Sequence, residues 1–203
     1  SLVVAGAVTL STVLLCTLAG YAFAKLRFRG RGPLFALAVG TMMIPPSLGV
    51  VPLYSLMVAL GLAGSLASVI LPSLVAAFGV FFMRQYLVQA LPDELLDAAK
   101  VDGATALRTV WSVVLPIARP GMAVLGMLTF MTAWNDYLFA VILTSSMAAK
   151  TAPVVVAGFA TDVTTERTLM AAGGVLAVVP PLVLAFLFQR LIVQGLVSGA
   201  VKG

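Results

Sequence analysis

The chain has 203 residues, is 62% hydrophobic and only 9% charged, and carries a formal net charge of +5. Soluble domains average about 25% charged residues, so this composition excludes a water-soluble globule and points to a bilayer as solvent, in line with a mean hydropathy of +1.14. The dispersed cations make no phosphate-binding surface, so no nucleic-acid partner is expected. The absence of His and a lone Cys16 leave no disulfide framework, metal site or imidazole base.

A membrane helix needs about 20 predominantly apolar residues. Residues 1–24 hold no charge; at about 1.5 Å per residue they reach about 36 Å, enough to cross with tilt. A basic loop comes next, with Lys25, Arg27, Arg29 and Arg31. A second apolar run covers roughly residues 33–59 and a third roughly residues 66–89. The second contains Pro45, Pro46 and Pro52, so it is kinked or interrupted, either as a packing kink or as a hinge or cavity wall. A fourth run covers about residues 117–146 and a fifth about residues 170–193. The predicted fold class is an all-α polytopic membrane protein with five transmembrane helices in this stretch.

Cations set the orientation. Lys25 to Arg31, then Arg84, Lys100, Arg108 and Arg119, then Arg190 and Lys202 fall in alternate connections; Lys150 and Arg167 fall in the others. Loops rich in Lys and Arg stay in the cytoplasm, which puts the first loop, the segment after Arg84 and the C-terminus inside. The first residue then lies outside, and the reading expects a further span before Ser1, six in the full chain.

Between the third and fourth runs lies a charged island, with Asp93, Glu94, Asp97, Lys100, Asp102 and Arg108. Pro92 suits a first helical turn, and Asp93 and Glu94 suit the positive end of the helix dipole. Leu95, Leu96, Ala98, Ala99 and Val101 supply an apolar side, and Gly103 is a natural stop. A second helix is predicted from near Thr105, with an amphipathic stripe of Leu107, Val110, Trp111 and Val114. The small Ala98 and Ala99 let another surface approach, so the island reads as a docking helix for a partner and not as an ordinary loop.

The island "LPDELLDAAKVDGATALRTVWSVVLPIARPG" resembles the EAA motif of bacterial ABC importer permeases, roughly E-A-A-x-x-D-G-A and then L-P-x-x-x-P. It is matched by Asp97, Ala98, Ala99, Asp102, Gly103 and Ala104, then by Leu115, Pro116 and Pro120. The stretches "GYAFAKLRFRGR", "IPPSLGVVPLY", "GLAGSLASVILP", "AWNDYLFAV" and "FQRLIVQGLVSGAVKG" extend the likeness over essentially the whole chain. The branch resembled is that of carbohydrate importers, specifically the subunit like the smaller permease of the maltose system.

That resemblance implies one transmembrane domain over residues 1–203 in a bacterial cytoplasmic membrane. It implies a cytoplasmic coupling helix in residues 91–116, an external loop at 147–169 and a cytoplasmic tail at 194–203. The implied partners are a second permease subunit forming a heterodimer, a pair of ATPase subunits, an external solute-binding protein, and a sugar-like solute. Leu95, Asp97, Ala98, Ala99, Asp102, Gly103 and Ala104 would seat in the ATPase, with Asp97, a Glu in the family pattern, facing a partner cation. The external loop is either a plain connector or an arm toward the binding protein. The tail, with Gly199, Lys202 and Gly203, would reach the ATPase interface or remain a flexible end. ATP and Mg would sit on the ATPase partners. No cofactor is expected on this chain, which has no G-x-x-x-x-G-K-S/T stretch.

"AWNDYLF" places Trp134, Asn135, Asp136 and Tyr137 deep in the fourth run. A carboxylate at the bilayer centre costs about 2.5–3.5 kcal/mol, so Asp136 must face protein or water. These residues either bond a neighbouring helix or line a translocation path. The rival functions are an ion-coupled secondary transporter, for which one intramembrane Asp is thin support and no internal repeat is evident, and an intramembrane enzyme, which lacks its catalytic groups.

Overall fold

The computed structural model describes residues 1–159 and 167–200, with side chains for residues 1–147, 149–159 and 167–187. Among the described residues every regular element is helical. Helix α1 spans Leu2–Lys25, α2 Arg31–Thr41, α3 Val50–Ala59, α4 Leu66–Ile70 and α5 Ala77–Ala90. Then come α6 at Asp93–Val101, α7 at Ala106–Thr109, α8 at Leu115–Trp134, α9 at Leu138–Leu143, α10 at Ala152–Ala157 and α11 at Arg167–Ala200. Four stretches are long and apolar enough to cross a bilayer: Leu2–Lys25, Leu66–Ala90, Ala106–Trp134 and Arg167–Leu187. Arg31–Thr41 and Pro46–Ala59, bent by 91° at their break, make a fifth when the pair is counted as one broken span, so four to five of the expected five spans are found.

Proline chemistry explains the break in the second span. A residue before proline is pushed out of the helical region, and Pro45, before Pro46, takes ψ 125. The chain restarts as a short 3-10 turn, Pro46–Gly49. Pro52 then lies in the first turn of α3, where its missing N–H costs nothing.

The fourth span departs from expectation. It begins at Ala106 and its helix ends at Trp134, well short of residue 146. Asn135 and Asp136 therefore sit at a break between α8 and α9, not deep inside a helix. The stripe predicted on the preceding segment also fails. Leu107 and Trp111 are exposed at 74% and 69%, whereas Val114 is fully buried. The cause is a π turn at Val110–Val114, whose i→i+5 bonding inserts an extra residue and rotates the helix beyond it. Pro116 comes two residues later; lacking the N–H that would bond Ser112 in a regular helix, it disfavours one there. The C-terminal segment is also more regular than foreseen, since α11 carries Gly195 and Gly199 in helix up to Ala200. Lys202, Gly203 and residues 160–166 of the 147–169 segment lie outside the described residues.

The chain divides into two compact units. One comprises Ser11–Met43 and Val75–Gly126 with the end of α11. Its core joins α1, α5, α6 and α8 through Cys16, Val80, Met83, Leu87, Leu96, Val114 and Leu125. Gly20 makes the α1–α5 crossing possible: a Cβ there would lie 2.7 Å from Met83 Cβ and 2.8 Å from the Arg84 backbone nitrogen. Small residues at such crossings are how membrane helices approach closely. The other unit comprises Ser1–Leu10, Ile44–Leu74 and the described part of Met127–Gln189. Its core joins Val4, Val8, Met57, Val69 and Leu143.

Candidate docking surface

Helix α6 is built by its ends. Pro92, at φ −63 and ψ 145, takes the N-cap position. Asp93 and Glu94 fill the first turn and Lys100 the last, all favourable to the helix dipole. Gly103 closes it at φ +70, a conformation that favours glycine. The Gly103 N–H donates to the Lys100 carbonyl at 3.0 Å and the Ala104 N–H to the Ala99 carbonyl at 2.9 Å. This paired closure is the Schellman motif, and it fixes the direction in which the chain leaves. Thr105 then caps α7, its hydroxyl accepting from the Arg108 N–H at 3.3 Å.

Burial sorts the residues of α6. Leu96 is buried in the core of its own unit, and Ala99, three residues on, is buried as well. Leu95, Ala98 and Val101 are exposed, Val101 at 88%. With Leu107 and Trp111 they leave an uncovered apolar surface on two consecutive elements joined by a rigid glycine turn. Such surfaces mark interaction sites. Asp102 and Gly103 are also exposed, and Ala104 is half-buried.

Charges surround this surface. Asp97, expected to face a partner cation, accepts from its own Lys100 at 2.8 Å, with both side chains exposed. Asp93 accepts from Lys25 Nζ at 2.7 Å, a link across 68 positions. A recess of about 740 Å³ is lined by Lys25, Arg27, Arg31, Asp93, Asp97 and Lys100, among others. The Lys25 hydrogen bond and charge hold the Asp93 carboxyl below the ordinary carboxylate value. Asp97 raises Lys100 above the ordinary ammonium value in the same way.

In the other predicted cluster, Trp134, Asn135 and Asp136 each bond a backbone group. Trp134 is buried, stacks on Phe130 with ring centres 5.6 Å apart, and donates its indole N–H to the Ala177 carbonyl at 2.8 Å. Asn135 donates back to the Met131 carbonyl at 2.8 Å. One Asp136 carboxylate oxygen, just before the N-cap residue Tyr137, accepts from the Phe139 N–H in the first turn of α9 at 3.2 Å. Tyr137 is exposed. Among the described residues no cluster of metal-ligating side chains occurs. The partnership of Lys25 with Asp93 was not foreseen, because the sequence marks Lys25 as one cation among four in a basic loop.

A family model described as "Binding-protein-dependent transport system inner membrane component" matches residues 13–198. The chain is 36% identical over 192 residues to the arabinooligosaccharides transport system permease protein AraQ of Halalkalibacterium halodurans, covering 95% of this chain and 68% of that one. It is 35% identical over 203 residues to the sn-glycerol-3-phosphate transport system permease protein UgpE of Yersinia pestis, covering 98% and 71%. It is 38% identical over 198 residues to the trehalose transport system permease protein SugB of Mycobacterium tuberculosis, covering 96% and 72%. Among solved structures, a bacterial ABC transporter involved in importing the acidic polysaccharide alginate shares the fold. That match has a TM-score of 0.72 at 23% identity and covers 98% of this chain and 71% of that one.

Proposed function

This chain belongs to the family of binding-protein-dependent transport system inner membrane components, and from that membership we propose how it works. It is a multi-pass permease subunit of an ATP-binding-cassette importer and makes or breaks no bonds itself. Together with a second permease it encloses the path of a polyhydroxylated solute delivered by an external binding protein. The relatives named for arabinooligosaccharides, trehalose and sn-glycerol-3-phosphate support that solute class.

The driving reaction takes place elsewhere. A pair of ATPase subunits binds ATP and Mg, and residues 91–116 carry their motion into the spans. The distribution of Lys and Arg supports a cytoplasmic position for that segment and for the C-terminal residues 194–203, and an external one for residues 147–169. The sequence match of Asp97, Ala98, Ala99, Asp102, Gly103 and Ala104 to the coupling motif supports the same assignment.

One observation carries this reading: an uncovered apolar surface of Leu95, Ala98, Val101, Leu107 and Trp111 on either side of a glycine-locked turn. A rigid turn transmits displacement, whereas a flexible loop absorbs it. Small Ala98 and Gly103 let a partner's surface come close, and the larger apolar side chains give it area to bury.

Replacing Gly103 with Val tests it. A β-branched residue at positive φ is strained by roughly 1–3 kcal/mol, and the closure of α6 shifts. In an importer assembled with its ATPase, the variant is expected either to lose the ATPase on purification or to hydrolyse ATP without importing solute. Normal co-purification with normal uptake per ATP would sink the docking role.

A further inference from the structure

The last carbonyls of a helix have no partner inside it, and at the end of α1 they are taken by cations from other helices. Arg31 of α2 donates to the Ala24 carbonyl at 3.0 Å and to the Leu26 carbonyl at 3.1 Å. Arg84 of α5 donates to the Phe23 carbonyl at 3.3 Å, and its guanidinium carbon lies 4.3 Å from the centre of the Phe35 ring of α2. Lys25, in the last turn of α1, instead donates to Asp93 in the first turn of α6. Three cations thus fasten α2, α5 and α6 to one helix end.

The link to α6 differs from the other two. Among the described residues, the other ion pair of α6, Lys100 with Asp97, is internal to that helix. On its buried side α6 is held by apolar packing, with Leu96 in the core of the unit. Apolar contacts are non-directional and allow a helix to slide or roll. A 2.7 Å ion pair fixes a point. The Lys25 side chain is only 10% exposed while that of Asp93 is 77% exposed. An exposed pair of this kind contributes little by itself, but a mostly buried ammonium left without its carboxylate is costly. Both groups also sit at the helix ends whose dipoles favour them.

We propose that Lys25 is a positioning residue for coupling: its ion pair with Asp93 pins the leading end of α6 to the end of α1, so that displacement of α6 moves the first span. The inference rests on the reading that α6 docks an ATPase. Lys25 touches neither the solute nor ATP in this scheme. It converts a helix that rides on an apolar surface into a lever with one fixed end.

The test uses the complete importer in proteoliposomes and reads solute imported per ATP hydrolysed. Lys25→Met keeps the apolar stem and removes the charge. ATP hydrolysis is expected to continue while import per ATP falls about tenfold, within the range by which a coupling residue modulates linkage between sites. Lys25→Arg is expected to stay near the wild-type ratio, a rescue that a purely space-filling role does not require. A wild-type ratio in Lys25→Met overturns the proposal. If Lys25→Met fails to assemble, the exchange Lys25→Glu with Asp93→Lys decides. Recovery of the ratio supports the pinning role, and assembly without recovery overturns it. Failure of the exchange to assemble also overturns it, because the pair then serves the fold alone. Gly103→Val in parallel separates the two readings: full coupling in that variant refutes docking at α6 whatever Lys25 does.

Discussion

The two units of this chain are held together by different chemistry. In the unit built around α5 and α6, ions join neutral ties such as that from the Tyr86 hydroxyl to the Ile117 carbonyl: Lys25 bonds Asp93, Arg31 the Ala24 and Leu26 carbonyls, and Arg84 the Phe23 carbonyl. In the unit built around α3, α4 and α9, the ties come from neutral donors. The Ser68 hydroxyl and the Gly64 N–H both donate to the Leu143 carbonyl, at 3.0 and 2.9 Å. Trp134 donates to the Ala177 carbonyl. Charge inside a bilayer is expensive and every backbone group there still needs a partner, so hydroxyls and indoles do the tying. Ionic ties require access to water, and that access is also what a docking partner requires.

The largest expected break in this contrast uses two glycines of α1, one in each unit. Gly20→Ala drives a methyl into Met83 Cβ and the Arg84 backbone. Overpacking costs about 1–3 kcal/mol where side chains can yield; here backbone must move, and the folded protein is expected to be lost from detergent extracts. Gly6→Ala meets no atom within 4 Å, and a surface change of this kind stays within about 0.5 kcal/mol. The yield of monodisperse protein in detergent extracts, with thermal unfolding of whatever folds, compares them. Equal destabilisation by both would mean that the crossing at Gly20 is not held as tightly as described.

A smaller effect is expected from Trp134→Phe, which keeps an aromatic ring beside Phe130 and removes the donor to Ala177. A side-chain hydrogen bond between membrane helices averages about 0.6 kcal/mol, so a melting shift of a few degrees or less is expected, with uptake preserved. Loss of uptake at unchanged stability would instead place the indole on the solute path.

How much of this was legible in the sequence depended on whether the signal was local. Pro92, Gly103 and Thr105 announce the ends of α6 and α7 because each is a residue type with one preferred job in backbone geometry. The break after Trp134 was hidden, because hydropathy reads composition, and the chain stays apolar through Leu143. The Asn135–Asp136 pair was the available clue, since Asp favours capping positions, and it was read as a buried polar group instead. The π turn at Val110–Val114 defeated a stripe drawn with the regular helical period. The pairing of Lys25 with Asp93 had no local signal at all: a carboxylate at one helix start and an ammonium at a helix end 68 positions away become neighbours only once α1, α5 and α6 have packed.

The smallest expected effect concerns pH, and it sharpens the contrast by its flatness. Asp93 titrates below its ordinary value of 3.8, first because of the Lys25 hydrogen bond and then because of its charge. A depressed carboxylate stabilises the fold above that ordinary value, and the contribution is lost as pH falls through the lower folded value. Lys100 titrates above its ordinary value of 10.5 because of Asp97. A raised ammonium stabilises fully below that ordinary value, and the contribution is lost as pH rises through the higher folded one. Between these limits neither pair of α6 changes charge, and the chain has no His to titrate in the gap. Import per ATP is therefore expected to vary less than about twofold between about pH 5.5 and about pH 8.5 on account of these pairs. The measurement compares wild type with Asp93→Asn across that range. A pH slope present in wild type and absent in the variant would show that the Lys25–Asp93 link titrates within the working range.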